Sequence, residues 1–156
     1  MAVVRSSLPA AAETYRVYTN ERFGQTADVP ASWRADPPPV NGDGLIFRSP
    51  SGDASLTVYG SLNIADSVSE AMRDQATPID GEAVTYRKTG KRDVTLSGAK
   101  GDRIFYRKSI LVCRDQIWNS IHLEYPARDK KAYDALVTRV ARSLRGGRSE
   151  QISDCR

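Results

Sequence analysis

A chain of 156 residues with 23 Lys+Arg, 19 Asp+Glu, one His, two Cys and a net charge of +4 has the length of one domain, able to bury roughly 70% of its unfolded surface without metals or a dense disulfide framework. Hydrophobic residues at 40% and charged residues at 27% exclude a disordered chain, a collagen and a coiled coil, and no apolar run approaches the ~18–20 residues of a transmembrane helix. One histidine and two distant cysteines exclude most zinc sites built on those ligands.

Residues 1–14 read as a disordered N-terminal segment or the remnant of a signal peptide. Met1 to Ala12 lack the apolar region of an intact signal, yet Ala10-Ala11-Ala12 before Glu13 is the small-residue pattern that follows one. The preferred expectation is a periplasmic or secreted chain, against a frayed cytoplasmic N-terminus.

From residue 15 the pattern becomes that of a folded domain, expected to span 15–147. Tyr15 to Tyr18 and Phe23 to Val29 are strand-like, separated by a turn and closed by Pro30, which cannot donate to a ladder. Asp36-Pro37-Pro38-Pro39-Val40-Asn41-Gly42-Asp43-Gly44 is loop, polyproline followed by turn residues. Leu45 to Arg48 and Ala54 to Tyr59 form a hairpin around Ser49–Asp53. Asp66 to Ala76 predicts a helix: Ser67 and Glu70 form a capping-box pair with Asp66 as a competing N-cap, and Pro78 ends it. Strands follow at Ala83–Lys88, Asp93–Ser97, Arg103–Cys113 and Gln116–Tyr125. In the closing helix Tyr133, Leu136, Val137, Val140 and Leu144 make one apolar stripe, with Gly146-Gly147 expected to stop it. Consecutive strands with short turns imply an α+β fold: an antiparallel β-sheet with helices packed on it. Residues 148–156 are expected to form a C-terminal tail.

Charge is unevenly spread. Residues 1–85 hold six basic and eleven acidic residues, a net of −5, and residues 86–156 hold seventeen and eight, a net of +9. The segment 86–108 is the densest basic stretch, and Arg87, Lys88, Arg103, Arg107 and Lys108 are candidates for a face that meets an anion, an acidic ligand or a protein partner. The competing reading is a solvated sheet face whose cations discourage edge pairing. Nucleic acid is not favoured, because the aromatic-rich signature of an RNA-reading sheet is missing.

Catalytic motifs are sparse. The chain has no Gly-x-Ser-x-Gly, His-Glu-x-x-His, Walker or dinucleotide signature. Residues 41–44 resemble a calcium loop, but Pro39 and Pro50 fall where carboxylates are required. A plain turn is preferred there over a weak cation site at Asp36 and Asp43, and no metal or cofactor is implied. His122 is the sole imidazole, with Ser120 and Glu124 on the same strand face. Neighbours at i±2 stand about 6.5–7 Å apart along a strand, too far for a direct nucleophile–base contact, so a hydrolase built on His122 is an alternative rather than the main reading. Cys113 and Cys155 make sense as a disulfide in an oxidising compartment; the alternative is a buried, inert Cys113 and a free Cys155.

Phe23-Gly24, the Val29-Pro30-Ala31-Ser32-Trp33 corner and the closing Val140-Ala141-Arg142-Ser143-Leu144 resemble the PsbP-like family, the extrinsic photosystem II subunit and its bacterial relatives. The resemblance covers about residues 15–145. It implies a curved antiparallel sheet between helices and a mostly non-enzymatic role in binding, assembly or stabilisation, and it carries over no catalytic residue. Combined with the missing catalytic signatures, it makes a non-enzymatic periplasmic binding or assembly module the main functional expectation.

Overall fold

Burial alternates residue by residue along stretches such as 55–60 and 105–112, and the computed structural model describes strands and helices over residues 13–148, Ile152, Asp154 and Cys155. The export-signal expectation for residues 1–12 lies outside these described residues. Strands β1 (Tyr15–Thr19) and β2 (Thr26–Pro30) pair antiparallel as a small sheet of their own. The others are β3 (Arg34–Ala35), β4 (Gly44–Arg48), β5 (Ser55–Leu62), β6 (Ala83–Thr89), β7 (Asp93–Lys100), β8 (Arg103–Val112) and β9 (Ile117–Pro126), and they form a seven-stranded sheet. Its order is β3-β4-β5-β9-β8-β7-β6, antiparallel throughout. Hairpins account for every neighbour pair except β5–β9, which brings the last strand to the middle of the sheet.

Helices α1 (Val68–Gln75) and α2 (Lys130–Ser143) pack on opposite faces. On one face Leu56, Val58, Ile121 and Leu123 meet Leu136, Val137, Val140 and Leu144 of the α2 region and Ala27 and Val29 of β2. The other face carries Val94, Leu96, Phe105, Leu111 and Trp118 against Ala71 of α1. Trp33 joins the α2-side core at 4% exposure, edge-on to Tyr133 with ring centroids 6.4 Å apart. This is the α+β architecture expected, with an antiparallel sheet carrying helices.

Local details follow from the sequence with some shifts. Ser67 is the N-cap, its Oγ accepting from Glu70 N at 3.1 Å. Glu70 Oε2 in turn accepts from Asp66 N at 3.1 Å, so the reciprocal bond of the capping box falls one residue early. β3 lies where the sequence reading assigned no element: Arg34 and Ala35 pair with Arg48 and Phe47. Helix α2 ends at Ser143, before the glycines expected to stop it. Leu144 turns extended (φ −59, ψ 121), and Arg145 exchanges backbone hydrogen bonds of 2.9 and 3.0 Å with Thr26. Gly147 serves instead for close approach: a Cβ there would lie 2.6 Å from the Phe23 carbonyl oxygen. The β8–β9 turn runs Cys113, Arg114 and Asp115 at φ 59, 53 and 66, braced by Arg92 on the Asp115 carboxylate and Asn63 on its carbonyl.

Candidate functional site

Strand register aligns the chemistry-bearing residues of the α1 face in three rows across β4, β5, β9, β8 and β7. The central row is Ile46–Thr57–His122–Arg107–Leu96, flanked by Arg48–Ser55–Glu124–Phe105–Gly98 and Gly44–Tyr59–Ser120–Ser109–Val94. Side chains two apart on one strand share a face, which is why alternate residues of β8 and β9 meet here.

Arg107 is 5% exposed and donates through both terminal nitrogens to Glu82, at 2.8 and 3.0 Å. The Glu82 side chain is 1% exposed and also accepts from Ile79 N at 3.0 Å. Burial pushes the Glu82 carboxyl up, but the Arg107 hydrogen bonds and charge and the Ile79 N–H together hold it below the ordinary range.

The His122 ring stacks on Phe105 with centroids 6.4 Å apart and planes at 9°. Its Nε2 lies 3.1 Å from Glu124 Oε1. Burial, helped by the charge of Arg107, lowers the imidazole pKa against the pull of Glu124, so at neutral pH the ring is neutral and its Nε2–H donates to the carboxylate. Burial raises the Glu124 carboxyl, yet the His122 hydrogen bond and Lys100, 3.5 Å away, bring it below its ordinary value. The spacing argument against i±2 contacts therefore fails for His122 and Glu124, because a glutamate is long enough to reach back along the strand. It holds for Ser120, whose Oγ is 2.7 Å from Ser109 Oγ and hydrogen-bonded to the Tyr59 hydroxyl. Gln75 of α1 donates to Ser109 at 2.8 Å. Among the described residues no hydroxyl is hydrogen-bonded to His122, and no group of three or more His, Cys, Asp or Glu is placed to hold a metal ion.

Beside these rows the proline-rich loop crosses the edge of β4 and leaves a cleft of about 490 Å³ between itself and Ile46, Thr57 and Tyr59. Pro37, Pro39, Asp36 and Asp43 form the loop side. The Asp36 carboxylate is held by Arg48 Nε at 2.9 and 3.0 Å, so it is not available as the cation ligand considered from the sequence.

The five candidate cations do not share one surface. By strand alternation Arg87, Arg103 and Arg107 lie on the α1 face and Lys88 and Lys108 on the α2 face. Arg107 is consumed by Glu82, Arg103 is 3.8 Å from Glu124, and Lys108 Nζ donates to the Ala141 carbonyl at 2.9 Å. Arg87 and Lys88 are exposed on β6. Cys113 and Cys155 are joined as a disulfide, Cα atoms 5.6 Å apart, and Ile152 lies buried with Phe23 and Ile117. Sequence reading did not single out Glu82 or Tyr59. The available signal was Arg107 itself: a cation at an inward strand position between Phe105 and Ser109 requires a buried acid.

No protein-family model and no curated protein matches the chain. Solved structures do. CyanoP, the cyanobacterial PsbP of Synechocystis sp. PCC 6803, is 15% identical with a TM-score of 0.60, over 92% of this chain and 98% of that one. The Ran-binding protein Mog1p of Saccharomyces cerevisiae is 10% identical with a TM-score of 0.59, over 91% and 100%. LpqN of Mycobacterium tuberculosis, involved in cell envelope biogenesis, is 10% identical with a TM-score of 0.52, over 88% and 93%. At such identities the likeness is one of architecture, and the chain has the PsbP-like fold.

Proposed function

We propose that this chain is a non-enzymatic binding or assembly module that works outside the cytoplasm on a protein partner. The observation that carries the reading is the mutual saturation of the α1 face: Arg107 with Glu82, His122 with Glu124, and Ser109 with Ser120 and Gln75. These bonds tie α1 and the segment after it to the sheet, and among the described residues no hydroxyl is hydrogen-bonded to the one imidazole for it to activate. Fold neighbours that bind Ran or serve cell-envelope biogenesis support a binding role, and a disulfide between Cys113 and Cys155 suits an oxidising compartment. No helix among the described residues is long and apolar enough to cross a membrane. The candidate cations divide between two faces, with Arg87 and Lys88 exposed on opposite sides of β6, so they do not form the continuous cationic surface that a nucleic-acid groove needs.

The rival hydrolase reading supplies the test. Purified protein and a His122→Ala variant are assayed on chromogenic esters and amides. Both are expected at the buffer rate; saturable turnover that disappears with His122 overturns the non-enzymatic reading.

A further inference from the structure

We propose that the cleft beneath the proline-rich loop receives an extended segment of a partner protein, anchored by a Lys or Arg side chain whose charged end meets Asp43. The inference deepens the binding-module reading and rests on it. Three observations lead to this occupant.

The first is charge. Of the two carboxylates in the lining, Asp36 is neutralised by Arg48 at 2.8 Å. Asp43 has only the neutral Asn41 amide on its carboxylate, at 3.2 Å, and forms no ion pair among the described residues. An unpaired carboxylate at the edge of an apolar cleft is complementary to a cation and repels an anion.

The second is chemistry. Ile46, Pro37, Pro39 and the Tyr59 ring offer apolar surface of the kind that covers the aliphatic stem of Lys or Arg while its head stays at a polar rim. Thr57 lies beside Ile46 on the floor.

The third is shape and preorganisation. β3 pairs with β4 at Phe47 and Arg48 and the Asp36 N–H extends that contact to Ile46 O, so the sheet edge left beside the cleft is the Gly44–Leu45 end of β4, a setting in which extended segments dock. The loop is pinned from several sides: Asp43 O accepts from Gly60 N at 2.8 Å, Ile46 O from Asp36 N at 2.8 Å, and Gly42 O from Asn20 Nδ2 at 2.9 Å. A wall fixed before binding saves the ordering cost of closing a loop on the ligand.

The test is selection of a random 12-residue peptide library on the immobilised full chain, followed by NMR mapping of synthesised winners. Enriched peptides are expected to carry Lys or Arg beside an apolar residue and to shift the amides of Asp43, Ile46 and Thr57. Asp43→Asn should weaken them about tenfold, and selection on Asp43→Lys should turn to acidic peptides, with circular dichroism confirming that both variants fold. Lack of enrichment, winners without basic residues, winners indifferent to Asp43, or shifts confined to another surface overturns the proposal. Turnover dependent on His122 would remove the binding-module reading without altering the peptide result. Failure of the selection would remove the cleft without altering the hydrolysis result.

Discussion

Arg107 is the residue on which the α1 face depends. Its guanidinium is buried, a position tolerable only with Glu82 opposite. Replacing Arg107 by Met leaves the Glu82 carboxylate buried and unpaired, and should cost about 3–5 kcal/mol in urea denaturation. Replacing both residues by Met should recover most of that loss, because two apolar side chains of similar length bury without a desolvation penalty. A double variant as unstable as Arg107→Met would contradict this account. His122 acts through protons. Its pKa is lowered, first by burial and then by Arg107, so in the unfolded chain it takes up a proton near its ordinary pH of about 6.5, while the folded protein resists until lower pH. Between those points the unfolded state binds more protons, and stability falls as pH drops. The lowered carboxyls of Glu82 and Glu124 add a further loss as pH falls through their folded pKa values, below about pH 4.5. Melting temperature should therefore decline from about pH 7 to pH 5 in the wild type and less in His122→Gln. Parallel curves over that range would assign the acid sensitivity to other groups.

Helix α2 is the element whose role was most legible. The stripe Leu136, Val137, Val140 and Leu144 read from 3.6-residue periodicity lies in the main core, with Leu136 at 9% and Val140 at 0% exposure. Leu136→Ala should cost about 2–5 kcal/mol, and an unchanged melting temperature would mean that the stripe does not pack as described. The helix ends where tertiary contact decides. Gly146 and Gly147 look like a stop signal in sequence, but the bridge from Arg145 to Thr26 has already ended the helix. Gly147 lies against the backbone of Phe23 and Gly24, so Gly147→Ala should destabilise by about 1–3 kcal/mol through forced backbone movement, measurable by chemical denaturation. Strands and helices were legible because alternation and periodicity are local. The pairing of β5 with β9 and the Glu82–Arg107 pair were not, because each joins segments far apart in sequence. Strand alternation also divides the segment 86–108, which reads as one basic face, between two: adjacent residues such as Arg87–Lys88 and Arg107–Lys108 point to opposite sides of a strand.

At the scale of the whole molecule, the Cys113–Cys155 bond secures the C-terminal segment to the sheet. The two cysteines are separated by 42 residues, a span that contains β9 and α2. After Gly147 the one large apolar side chain in the segment is Ile152, buried with Phe23 and Ile117. Asp154 adds an ion pair with Arg22 at 3.0 Å, which is partly exposed and contributes about 1 kcal/mol or less. One buried isoleucine contributes roughly 1.5–3 kcal/mol, while fixing each backbone residue costs about 1–2 kcal/mol. The disulfide adds a covalent tie to these contacts. Cys155→Ser should lower stability by about 2–4 kcal/mol, measurable by urea denaturation under non-reducing conditions. Thiol counting on denatured, unreduced protein made under oxidising conditions checks the premise. Zero free thiols are expected; two would remove the bond and, with it, the physical support for placing this module in an oxidising compartment.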